Sequence, residues 1–105
     1  MADLDDIRQT FATGRYRYTL HAVKQTTVRR ISRREIEQAI AEGEVIESYP
    51  HDKYGPSCLI FGMTAEGRPL HVQCTQPPEA KVITAYEPDP NKWVGYRERR
   101  EAKDE

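Results

Sequence analysis

Cysteine is scarce in this chain, with two among 105 residues. Cys58 and Cys74 form no Cys-x-x-Cys pair and no Cys/His array at zinc-ligand spacing, so neither a structural metal nor a disulfide scaffold is indicated. No apolar run approaches the roughly 18–20 residues needed to cross a bilayer. The acidic start Met1-Ala2-Asp3-Leu4-Asp5-Asp6 lacks the basic and apolar stretches of a signal peptide. A cytoplasmic protein with reduced thiols and no membrane partner is the expectation. There is no phosphate-binding glycine loop, Gly-x-Ser-x-Gly elbow, His-Glu-x-x-His helix or spaced carboxylate pair, which removes the common hydrolases and nucleotide enzymes and implies no cofactor. Internal repeats and low-complexity stretches are also missing.

Carboxylates are absent from one long interval. None lies between Asp6 and Glu35, whereas Arg15, Arg17, Lys24, Arg29, Arg30, Arg33 and Arg34 do, so a formal net charge of -1 conceals a cationic segment. Such a segment is either a solvated helical face or a surface for phosphates or an acidic partner. The 37% hydrophobic content is enough to build a core. One domain over 1–105 is expected, its core at about 15–93, with an N-terminal helix at 2–13 and a C-terminal tail at 94–105 on the periphery.

Leu4, Ile7 and Phe11 recur at helical spacing and Gly14 follows as a stop. Tyr16-Arg17-Tyr18-Thr19 suits a brief strand, and a second helix begins near Leu20, with Thr26-Thr27-Val28 expected to fray it. In Ile31-Ser32-Arg33-Arg34-Glu35-Ile36, Ser32 and Glu35 make a capping box and Ile31 and Ile36 a hydrophobic staple. The helix that starts there runs about ten residues, to a left-handed stop at Gly43. Four strands follow at about Val45–Tyr49, Ser57–Met63, Leu70–Thr75 and Val82–Glu87. Ala65-Glu66-Gly67 fits a three-residue hairpin loop that sets Cys58 opposite Cys74, Ile60 opposite Val72 and Phe61 opposite His71. Asp89-Pro90-Asn91-Lys92-Trp93 reads as a capped start for a short C-terminal helix carrying Trp93, Tyr96, Arg97 and Arg100 on one face. The class is α+β: helices, then a small antiparallel sheet of about four strands packed on them.

The residues left for chemistry are His21, Lys24, Arg29, Arg68, His71 and Tyr86, with Glu87 beside the last. Histidine and tyrosine can move protons and arginine and lysine can hold phosphate, which is the inventory for metal-free RNA cleavage through the RNA's own 2′-hydroxyl. Each residue also has a plainer use. A mid-strand His71 suits a buried packing position, His21 a helix end, Arg68 a turn, and Tyr86 a ring packed with its hydroxyl outward.

Thr19-Leu20-His21-Ala22, Arg29-Arg30-Ile31-Ser32, Gly43-Glu44-Val45-Ile46, Tyr49-Pro50, Gly67-Arg68-Pro69-Leu70-His71-Val72 and Thr84-Ala85-Tyr86-Glu87-Pro88 together resemble the bacterial domain-of-unknown-function 4258 family over about Arg15 to Trp93. The resemblance implies a topology similar to RelE/BrnT-like ribonuclease toxins, a toxin–antitoxin setting, and a zinc-ribbon antitoxin-like protein as partner. Family positions match at His21, Arg29, Arg68 and His71, while Gln25, beside Lys24, stands where the family pattern has arginine. Two functions follow as expectations. In the first, a metal-independent RNA endonuclease uses His21, His71 and Tyr86 for catalysis and Lys24, Arg29 and Arg68 for the substrate. In the second, the domain is a non-catalytic RNA- or protein-binding module.

Overall fold

A computed structural model describes residues 4–100. Three helices, α1 (Leu4–Ala12), α2 (Leu20–Arg29) and α3 (Arg33–Ala41), are interrupted only by strand β1 (Tyr16–Tyr18). They precede β2 (Glu44–Tyr49), β3 (Ser57–Met63), β4 (Pro69–Thr75) and β5 (Ala80–Tyr86), and two short strands close the chain, β6 (Trp93–Val94) and β7 (Glu98–Arg99). Residues 2 and 3 of the expected N-terminal helix lie outside the described residues. The α+β class stands, but the main sheet has five strands rather than four, in the order β1-β5-β4-β3-β2.

The sheet is not wholly antiparallel, because β1 pairs parallel to β5 with Tyr16 beside Ala80 and Arg17 beside Lys81. That pairing joins residues far apart in sequence, where local patterning carries no signal. The β3–β4 hairpin holds the expected register: Cys58 faces Cys74, Ile60 faces Val72 and Phe61 faces His71. Gly67 supplies the left-handed position of its loop at φ 83°. Both cysteines are free and buried.

Alternation along the strands separates the two faces. Cys58, Ile60, Leu70, Val72, Cys74, Val82 and Ala85 join Ile36, Ala39, Ile40 and Ala22 in one core beneath the helices. Phe61, His71 and Tyr86 point the other way, toward the C-terminal segment. The capping box of α3 is present, with Ser32 N–H donating to Glu35 Oε1 at 2.9 Å and Glu35 N–H to Ser32 Oγ at 3.1 Å. The staple residues Ile31 and Ile36 are both buried.

Three local expectations are corrected. α2 does not fray at its threonines, since Thr26 and Thr27 hydroxyls donate to the carbonyls of Ala22 and Val23 and the helix ends only at Arg30, in the left-handed region at φ 54°. Gly43 is not a left-handed stop: a Cβ there would lie 2.6 Å from Ala39 O and 2.8 Å from Phe61 O, so close approach of the α3 end to β3 demands glycine. The C-terminal helix is a β-hairpin. Asp89 caps a single turn, accepting from Lys92 N–H at 2.8 Å and Trp93 N–H at 3.0 Å. Positive φ at Gly95 (57°) and Tyr96 (65°) then reverses the chain, and Arg97 N–H donates to Val94 O at 3.0 Å.

Gly62 fixes the distance between the helical layer and the sheet, because a Cβ there would lie 1.8 Å from Ala39 O. The Gly62→Ala variant is expected to lose about 3 kcal/mol of stability, the upper part of the overpacking range. Urea denaturation measures it, and an unchanged midpoint would show that α3 is free to move off β3.

Candidate functional site

Four of the six residues singled out from sequence lie near one end of the sheet, where α2 ends: Arg68 on the helical face, His71 and Tyr86 on the other, and Arg29 at the edge between them. Arg68, just before β4, sends Nε to Glu87 Oε2 at 2.7 Å and Nη1 to both oxygens of Glu35 at 3.1 Å. The same guanidinium donates to Arg30 O at 2.9 Å and Arg29 O at 3.0 Å, the carbonyls that α2 leaves unpaired at its end. Two carboxylates and two carbonyls thus occupy Arg68, and its side chain is only 24% exposed. Glu35 is held below the usual carboxylate range, first by the Ser32 backbone N–H of the capping box and, against a smaller effect of burial, by Arg68.

Arg29 donates Nη1 to Ala85 O at 2.9 Å and lies 6.0 Å from the centre of the Tyr86 ring. β1 pairs with β5 only as far as Val82, so Arg29 meets a backbone acceptor on β5 beyond the end of that ladder. No ion pair neutralises its charge among the described residues.

His71 has no exposed surface. It is boxed in by Trp93 at 4.4 Å, Tyr86 at 5.3 Å and Phe61 at 5.9 Å between ring centres. Nε2 lies 2.6 Å from Tyr96 O, and a carbonyl can only accept, so Nε2 carries the proton. Nδ1 is left to accept from the Tyr86 hydroxyl at 3.3 Å. Burial lowers the affinity of His71 for a second proton, which outweighs the Tyr96 carbonyl and the Glu47 carboxylate acting upward, and Arg99 reinforces burial. Burial likewise pushes the Tyr86 phenol up. His71 is therefore a neutral hinge pin beneath the β6–β7 hairpin. Its two hydrogen-bond partners, Tyr86 and Tyr96, are each half-buried.

His21 and Lys24 lie elsewhere. Both are exposed on α2, about 12 Å (His21) and about 8 Å (Lys24) of helix before Arg29 at 1.5 Å per residue. His21 belongs to the helical side of the sheet and His71 to the opposite side, so the two histidines do not share a cleft.

The chain belongs to the family described as Domain of unknown function (DUF4258). The family model matches residues 18–87. No curated protein and no solved structure matches the chain. All six residues above fall inside the DUF4258 match, whereas α1, Arg15, Arg17 and the β6–β7 hairpin fall outside it.

Two further groups surround the DUF4258 core. On β2, Glu47 accepts from Arg99 Nε at 2.8 Å and Nη2 at 3.1 Å and also from the Tyr49 hydroxyl. Burial, then the Glu47 bond, pushes Tyr49 up to about 12. Glu47 itself is held low despite burial, chiefly by Arg99 and then Tyr49. Arg99 also stacks 4.7 Å from the Trp93 ring centre, and Arg97 pairs with Glu44, so both hairpin arginines are anchored to β2. The alternation Glu47-x-Tyr49 on a strand was the available signal for this group. The second group is cationic: Arg17 and Lys81 stand side by side across β1 and β5, next to Arg15. With Gly14, Pro78 and Glu79 they line a hollow of about 410 Å³. Lys81 went unnoticed in the sequence because only the parallel pairing puts it beside Arg17. No His/Cys/Asp/Glu cluster able to hold a metal occurs among the described residues, and no helix among them is long and apolar enough to cross a membrane.

Two outcomes test these roles. Arg68→Ala is expected to lose about 2 kcal/mol of stability, the scale of charge-assisted hydrogen bonds, with Arg68→Lys recovering little because one ammonium cannot span the four partners; chemical denaturation of both variants measures this. His71 is depressed in the fold from an ordinary 6.5, so the unfolded chain binds the extra proton first. Its stabilising effect is complete above about pH 6.5 and is lost as pH falls below that toward the folded value. Melting temperatures compared from pH 7.5 to 5 are expected to fall more steeply for the native chain than for His71→Gln, and parallel curves would refute this.

Proposed function

We propose that the domain is a non-catalytic RNA-binding module that grips the phosphate backbone through the cations of its first third together with Lys81. One observation carries this reading: Arg17 and Lys81 sit in register on adjacent strands with no carboxylate paired to either among the described residues. Like charges placed directly across a ladder cost stability, and an anion between them reverses that cost. Arg15, Lys24, Arg30 and Arg34 also form no ion pair among the described residues. In contrast, Arg68, Arg97 and Arg99 are each taken up by glutamates.

Against catalysis at the residues singled out stand the separation of His21 from His71, the burial of His71 and the occupied donors of Arg68. A second reading, a RelE-like toxin ribonuclease, is supported by the corner where Arg29 lies beside Tyr86. There a substrate hydroxyl can pass its proton to the Tyr86 oxygen while the Tyr86 proton moves to Nδ1 of the neutral His71, with Arg29 on the phosphate.

Fluorescence anisotropy with a labelled single-stranded RNA, followed by a denaturing gel of the same mixture, separates the two. Binding is expected to weaken steeply between about 50 and 200 mM salt, as counterion release requires. The Arg17→Glu/Lys81→Glu variant should lose about tenfold or more in affinity and about 2 in the salt slope, with the RNA left intact. Absence of binding at the lower salt overturns the proposal. Cleaved RNA whose formation Tyr86→Phe abolishes establishes the second reading instead.

A further inference from the structure

α2 is packed inside out. Its buried residues are Ala22 and Thr26, both small, while its large aliphatic side chains face water: Leu20 is 71% exposed, Val23 46% and Val28 80%. At 100° per residue these three, with Lys24 and Thr27 between them, share an outward arc of about 140°. Single exposed apolar residues are ordinary, but the inversion of large and small along one helix is not. Neither packing nor solubility accounts for it.

The rim of this arc is cationic. Lys24 lies within it, and Arg30 and the imidazole of His21 are exposed beside it. No acidic residue occurs from Ile7 to Arg34 to offset them. We propose that the outward face of α2 is a docking surface for an acidic amphipathic segment of another protein, in which aliphatic residues cover Leu20, Val23 and Val28 while flanking carboxylates meet Lys24 and its neighbours. Charge complementarity selects this occupant. A second copy of the chain, meeting this face with the same face, brings Lys24 toward its own equivalent. RNA gains nothing from three aliphatic side chains, which offer phosphate no hydrogen bond and bases no ring to stack on. The short α2 arc carries no aromatic residue, unlike interfacial membrane helices.

A fluorescein-labelled helical peptide of about 18 residues, long enough to hold a helix, with leucines along one face bordered by glutamates, serves as the probe. The same peptide with lysines in place of the glutamates is the control. The glutamate peptide is expected to bind and the lysine peptide not, with Leu20→Glu and Val28→Glu each weakening binding about tenfold and Lys24→Glu shifting preference toward the lysine peptide. These side chains are exposed, so circular dichroism melts should match the native chain. The Arg17→Glu/Lys81→Glu variant should keep at least half of the peptide affinity, which separates this surface from the RNA-binding reading. The proposal falls if neither peptide binds, if both bind equally, or if the α2 variants bind like the native chain. It also falls if sedimentation shows a dimer that Val28→Glu dissociates, or if phosphatidylglycerol vesicles sediment the native chain but not that variant.

Discussion

The corner between α2 and α3 depends on the Arg68 guanidinium. Two orphan carbonyls at the end of α2, the capping glutamate at the start of α3, and Glu87 beyond β5 all converge on it. Each is a group that folding would otherwise leave short of a partner: helix-end carbonyls lack intrahelical donors, and Glu35 already serves the Ser32 backbone. A planar, permanently charged fork meets such a set in a way that no other side chain can. The β3–β4 loop delivers it there, so the hairpin register and the helical corner fix one another.

The opposite face of the sheet has its own tie, and it is less charged. His71, neutral, donates to the carbonyl of Tyr96 and accepts from Tyr86, joining β4, β5 and the β6–β7 turn. Tyr96 holds a positive φ, unusual for an aromatic residue, in the turn whose carbonyl meets the imidazole. The hairpin has only two residues in each strand, too little to stand alone. It persists because Trp93 covers His71 and because Arg97 and Arg99 clamp to Glu44 and Glu47 on β2. A histidine with both nitrogens engaged under an indole secures the hairpin to the sheet.

Local chemistry made most of the fold legible. The capping box, the staple, the glycine of the β3–β4 loop and the period change after Gly43 each act within a few residues, and the cross-strand partners followed from the loop length alone. What escaped was non-local or ambiguous. The β1–β5 ladder joins Tyr16 to Ala80, and no pattern in either segment encodes that pairing. Asp89 and Pro90 do start a turn, so the helical signal there was real but lasted one turn, and Trp93 and Tyr96 meet the sheet from a hairpin whose i,i+3 spacing mimics a helix. At the site, the sequence supplied residue types without directions: Arg29, Arg68, His71 and Tyr86 lie near one end of the sheet, yet Arg68 and His71 are engaged within the fold, and His21 stands apart.

Near-neutral net charge and a cationic surface coexist because opposite charges are distributed unevenly along the chain. Among the described residues, the glutamates of α3, β2 and Glu87 are drawn into pairs with Arg33, Arg68, Arg97 and Arg99. Those pairs hold the helical corner and the hairpin in place and leave their members little field to project. The cations of residues 15–30 form no such pairs among the described residues and project their field into solvent. The surface potential is thus set less by the total charge than by which arginines the fold has already used. By that criterion the positive field of this domain comes from the cations of β1 and α2 that form no ion pair among the described residues, and not from the arginines already bound to glutamates.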